Sequence, residues 1–215
     1  MKYLIILLFN PIFLHAQSEF INDSPMGMQA DFTYSKNNNF AGFGGDIGFS
    51  LFSSVDLGFE YIRGSYDAKY NMESSGRMIY GAYNFKSKNN CFKLLVGYTQ
   101  SSINNKSIYF SNLNVSGPLL AFIISHRIYE NESIKLIPSI GLSLGFLSVS
   151  NGSIFTDYSE VENPRNLGFE FNIVSKINKG FYFIIAPSIS KDLMNSENSL
   201  ILGLNLGLLF SVQEQ

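Results

Sequence analysis

Ten stretches of the chain alternate apolar and polar residues with a period of two, which is the side-chain period of a β-strand. They are residues 26–35, 41–51, 55–63, 78–85, 92–99, 117–128, 134–146, 167–177, 181–190 and 200–210. The last shows the pattern plainly. Leu200, Leu202, Leu204, Leu206, Leu208 and Phe210 share one face, and Ile201, Gly203, Asn205, Gly207 and Leu209 share the other. Apart from Arg63 at the end of the third stretch, no Asp, Glu, Lys or Arg falls on the apolar parity. The opposite parity holds Asp31, Asp46, Asp56, Glu60, Lys93, Arg127, Lys135, Glu170 and Lys176. A Lys or Arg facing lipid at mid-bilayer costs about 2–4 kcal/mol. That penalty produces this segregation if the apolar faces meet hydrocarbon and the charged faces line a lumen. The expectation is an all-β chain: a closed antiparallel transmembrane β-barrel of ten strands, with eight as the main alternative.

Glycine and loop length support closure. Fourteen of the 18 glycines fall within these stretches, and all but Gly45 and Gly81 lie on the polar parity. Small residues on the concave side relieve crowding as a sheet curls shut. The connections at 52–54, 86–91, 129–133 and 178–180 are short, whereas 64–77, 100–116 and 147–166 are long. Such barrels have short periplasmic turns and longer external loops, so ten strands place both termini in the periplasm. Phe49, Phe85, Phe92, Phe181 and Phe210 then mark the short-turn rim, and Tyr34, Tyr61, Tyr98 and Phe146 the long-loop rim.

Composition narrows the picture. Charged residues are 15% of the 215, below the ~25% of a soluble domain. A net charge of −2 with no basic cluster speaks against nucleic acid. Lys2 followed by apolar residues 3–9 and 12–14, then Leu14-His15-Ala16, reads as a signal peptide over 1–16. Residues 17–25 then form a periplasmic N-terminal segment, 26–210 the barrel and 211–215 a tail. Cys91 is the only cysteine, so no disulfide forms within the chain.

With segments such as Pro138-Ser139-Ile140-Gly141-Leu142-Ser143-Leu144-Gly145-Phe146, the chain resembles the small outer-membrane β-barrel proteins of Gram-negative bacteria. The resemblance implies the bacterial outer membrane, contact with its lipids and with the barrel assembly machinery, and a monomer. Two features depart from it. Such barrels end on an aromatic residue, but here Phe210 is followed by five residues, and Pro138 and Pro187 interrupt strands.

Chemistry is sparse. His126 is the only histidine after the signal, and adjacent Ser125 points to the opposite face. No catalytic, metal-ligating or cofactor-binding set emerges, and no cofactor is expected. The loop acids Asp67, Glu73, Asp157, Glu160 and Glu162 read as solvated. Five acids and four bases in a narrow lumen suggest a salt-bridged plug, with a narrow pore as the competing reading, helped by room that the glycines leave for water. Tyr66, Tyr70, Tyr109 and Phe110, in otherwise polar loops, are candidate contact residues, or else they fold over the mouth as a lid. The leading function is therefore envelope structure or surface contact without catalysis. A pore or transporter is second, and a soluble secreted lipid-binding barrel of lipocalin-like type, with its apolar face inside, is third. No feature names a protein partner. Lysine at Leu142 is expected to disrupt insertion, and lysine at Ser143 to be milder.

Overall fold

A computed structural model describes residues 26–37, 40–52, 54–66, 72–105, 113–152, 157–193 and 200–212. The described residues form thirteen strand segments: β1 (Met26–Lys36), β2 (Phe40–Leu51), β3 (Val55–Tyr66), β4 (Met72–Lys86), β5 (Asn90–Asn105), β6 (Leu113–His126), β7 (Tyr129–Glu130), β8 (Ile134–Gly145), β9 (Leu147–Gly152), β10 (Asp157–Glu162), β11 (Arg165–Asn178), β12 (Phe181–Asp192) and β13 (Leu200–Val212). They make ten passes, because β8 continues as β9 past Phe146, β10 continues as β11 past Pro164, and β7 is a short piece in a turn. Every pairing is antiparallel, each pass pairs with its neighbours, and β1 zips to β13 from Met26↔Val212 to Lys36↔Leu202. The sheet is a closed ten-stranded barrel with its first and last strands starting and ending at the same rim.

Its width follows from the register. Followed through β13, β12 and β11, the ladder from Asp31 reaches Lys135. Followed through Asp46, Glu60, Met78 and Thr99 it reaches Gly117, which the β6 register sets against Leu147. The two ends lie 12 residues apart on one pass. With a rise of about 3.3 Å per residue and strands about 4.8 Å apart, that stagger tilts the strands by roughly 40° and sets a backbone radius of about 10 Å.

The apolar parity faces outward. Phe32 is 52% exposed, Ile79 67%, Val96 55% and Leu202 58%, and similar side chains ring the barrel. A soluble lipid carrier with its apolar face inside is thereby excluded, because such a belt needs hydrocarbon around it. The aromatic residues expected at the two rims also face out, and at the short-turn rim Phe181 and Phe210 meet at 4.6 Å and Phe85 and Phe92 at 6.1 Å.

At the long-loop end the strands run further than the alternation predicts. Residues 72–77, 100–105 and 113–116 are paired strand rather than loop, and most of 147–166 forms β9, β10 and the start of β11. Beyond the bilayer a ladder needs only backbone pairing, so Ser, Asn and Gly serve there without a greasy face. The two prolines sit where ladders lapse. The β6–β8 pairing stops at Ser139, next to Pro138, and the β11–β12 pairs skip Phe171 and Asn172 opposite Pro187 and Ala186. Residues 1–25 and 213–215, with the expected signal peptide and the end of the tail, lie outside the described residues.

Candidate functional site

The lumen is filled by inward side chains. Inward side chains form two apolar clusters. One, weighted toward the long-loop mouth, includes Phe40, Tyr66, Ile103, Leu113, Val115, Leu147, Val149 and Ile201. The other, on the far wall toward the short turns, joins Cys91, Ile137, Val174, Tyr182, Ile184, Ala186 and Leu209. The sequence reading expected a polar interior. Inward Leu95, Ile137 and Ile184 instead make it mixed.

A polar layer lies between and beside these clusters. Asp31, Asp46 and Glu60 are successive cross-strand partners on β1, β2 and β3, all buried. Like charges directly opposed destabilise a sheet, and donors are built in beside them. Gln29 Nε2 donates to Asp31 at 2.5 Å, and the Tyr80 hydroxyl lies 3.1 and 3.3 Å from the two Asp46 oxygens. Asn172 Nδ2 donates to Glu170 at 2.6 Å. Lys93, 1% exposed, pairs with Asp56, which also accepts from Ser50 Oγ at 2.8 Å.

Six of the nine expected lumen charges, Asp31, Asp46, Asp56, Glu60, Lys93 and Glu170, are therefore buried inside. The other three correct the picture of an evenly salt-bridged plug. Arg127 and Lys135 both reach Glu130 at the short-turn rim, at 3.0 and 2.8 Å, and Lys176 is exposed there. Long cations reach water from the barrel end, which leaves the middle of the lumen acidic.

The glycines also act differently from the expectation that they leave room for water. A Cβ on Gly58 would fall on the Tyr80 ring, one on Gly64 or Gly42 on the Phe40 ring, and one on Gly207 on the Asp31 carboxylate. Glycine here lets large inward side chains lie flat across a neighbouring strand, so it closes the lumen.

Among the contact candidates, Tyr66 is 6% exposed and packs on Phe40 with ring centroids 5.1 Å apart. Strand β3 extends three residues past Arg63, and that parity turns Tyr66 inward, as a lid residue rather than a surface anchor. Tyr70, Tyr109 and Phe110 lie outside the described residues, as does Asp67; of Asp157, Glu160 and Glu162 only the backbone is described. Glu73 pairs with Arg63 at 3.4 Å.

No family model matches the sequence, and no curated protein does. Solved structures match the fold. The translocator domain of the autotransporter NalP from Neisseria meningitidis aligns over 91% of each chain at 9% identity, with a TM-score of 0.62. The β domain of the Bordetella autotransporter BrkA covers 88% of this chain and 99% of its own at 10% identity, TM-score 0.53. The transport unit of the autotransporter AIDA-I from Escherichia coli covers 96% of both at 10% identity, TM-score 0.52. This is the fold of an outer-membrane β-barrel.

Within that fold His126 lies at the short-turn rim, exposed, with Nδ1 2.8 Å from Asn90 Oδ1. Ser125 turns inward and accepts a hydrogen bond from Ser139 at 3.0 Å. The two share no site. Among the described residues no group of three His, Cys, Asp or Glu side chains is placed to hold a metal.

Proposed function

We propose that the chain is a non-enzymatic barrel of the bacterial outer membrane, with short turns and both termini in the periplasm. Its lumen stays shut, and its work is envelope structure or surface contact at the long-loop end. The observation that carries this reading is the packing of the interior. From Phe40 and Tyr66 at one mouth, through Tyr80, Lys93 and Leu95, to Tyr182 near the other, inward side chains are buried. A radius of about 10 Å leaves little more space than side chains fill.

The translocation and transport named for the neighbouring structures need an open path, which this packing opposes. A narrow pore is the second reading, favoured by the mid-lumen acids Asp31, Asp46, Glu60 and Glu170, and it implies cation-selective current. Planar-bilayer recordings on the purified chain separate the two. The closed reading expects no steady conductance. Steady current that survives shortening of the connections at 67–71 and 106–112 overturns it.

A further inference from the structure

On the outward parity of the ten passes, described charge falls at the long-loop end and is nearly all of one sign, whereas at the short-turn rim charge sits on the turns and on the inward parity. Among the passes' described side chains, those on the outward parity are Lys36 on β1, Arg63 on β3, Glu73 and Arg77 on β4, Arg165 on β11 and Lys191 on β12. All lie toward the long-loop end. The outward parity toward the short turns carries no Asp, Glu, Lys or Arg among the described residues; it is apolar or aromatic apart from Asn90, His126 and Ser175.

The five bases share one height. Asp31, Asp46, Glu60 and Met78 form one ladder, continued the other way by Gly207, Ile184 and Val174. At a tilt of roughly 40° each ladder step climbs about 3 Å along the barrel axis, and each residue along a strand about 2.5 Å. Lys36 lies five residues beyond Asp31, Arg63 three beyond Glu60, Arg77 one beyond Met78, Lys191 seven beyond Ile184 and Arg165 nine beyond Val174. Those offsets bring all five Cα atoms to within roughly 3 Å of one level. The level sits just outside Tyr34, Tyr61 and Tyr98, where hydrocarbon gives way to headgroups.

Beside Arg77 the outer side of the barrel wall carries an open, shallow pocket of about 280 Å³. Its outward-facing lining is Tyr61, Ser75, Arg77, Gln100, Ser102 and Asn114, all able to hydrogen-bond. Gln100 Oε1 accepts from Arg77 Nε at 3.1 Å and Nη2 at 2.5 Å, which holds the guanidinium against the wall. Directed guanidinium donors among hydroxyls and amides suit a phosphorylated sugar.

We propose that Lys36, Arg63, Arg77, Arg165 and Lys191 bind the phosphate groups of an anionic, phosphorylated glycolipid of the outer leaflet, with one headgroup seated beside Arg77. Two close pairs, Arg63 with Arg77 and Arg165 with Lys191, flank Lys36 and suit a headgroup bearing more than one phosphate. The inference rests on the outer-membrane reading above, with the long loops outside.

The probe is bisphosphorylated lipid A added to the full chain in neutral detergent, with retained lipid counted by native mass spectrometry. The wild type retains it. Arg77→Gln weakens retention roughly fivefold, as expected for about 1 kcal/mol per cation. Replacing all five bases by Gln weakens it on the order of 100-fold or more. Dephosphorylated lipid A is not retained, and millimolar inorganic phosphate does not displace the lipid. Equal retention by the fivefold variant or of dephosphorylated lipid overturns the proposal, and displacement by free phosphate shows an anion site without lipid specificity, which overturns it too. The same variants are refolded in phosphatidylcholine vesicles. Barrels that insert there yet ignore lipid A sink the ring and leave the outer-membrane reading standing, whereas a wild type that inserts in no vesicle sinks both.

Discussion

Gly58→Ala tests the claim that glycine closes the lumen. The new methyl would fall on the ring and hydroxyl of Tyr80, which is buried and bonded to both Asp46 oxygens. Overpacking costs about 1–3 kcal/mol. Displacing the phenol also sacrifices a hydrogen bond to a charged group, about 1.5–3 kcal/mol. A loss of roughly 3–5 kcal/mol is expected in all. Tyr80→Ala alone is costly for a different reason, the cavity it leaves, again about 3–5 kcal/mol. The double variant puts the methyl into the vacated space, so the two losses must fall short of additive by about 2 kcal/mol. Gly81→Ala is the control. Its methyl would face outward in ordinary contact, 3.6 Å from Leu57 Cδ2, with an expected change within about 0.5 kcal/mol. Urea unfolding from vesicles, followed by far-ultraviolet circular dichroism, measures all four. Gly58→Ala as stable as Gly81→Ala, or strict additivity with Tyr80→Ala, refutes the reasoning.

Other outcomes follow from the same interior. Lys93→Met leaves Asp56 buried without its cation and costs about 3–5 kcal/mol, while Lys93→Met with Asp56→Leu recovers most of that in the same unfolding assay. Leu142→Lys costs about 2–4 kcal/mol on the lipid side. Ser143→Lys is not the mild companion that the alternation implied, since Ser143 is 1% exposed in a filled lumen; equal or greater loss there, read by insertion yield, is the expected result. Cys91 is buried with Sγ 3.9 Å from Asn84 Oδ1, so a maleimide should label it only after unfolding.

What the sequence shows and hides has a physical basis. Hydrocarbon punishes outward charge, so the outward faces of β2, β8 and β13 can be read directly from alternation. Water above the bilayer imposes no such rule, and the paired stretches around Ser75, Ser102 and Val115 pass for loop. Tyr66 is misplaced for that reason: three more residues of strand decide which way it points. Inward Ile137, Val174 and Ile184 are visible as apolar residues on the polar parity, but only the closed register brings them together. The same is true of Lys36, Arg63, Arg77, Arg165 and Lys191. They are scattered over 156 positions of the sequence from Lys36 to Lys191 and become a ring only once stagger and tilt are known.

The chain has no tryptophan, so single Trp replacements report their surroundings cleanly. Phe32→Trp and Phe169→Trp face outward; Phe40→Trp and Tyr182→Trp face the lumen. In reconstituted vesicles, brominated lipid should quench the first pair and aqueous iodide should not. Neither quencher should reach the second pair. Iodide quenching at Phe40→Trp and Tyr182→Trp would reveal a water-filled channel, and iodide quenching at Phe32→Trp and Phe169→Trp would show that the apolar belt does not lie in lipid. Either result contradicts a closed barrel held in a membrane.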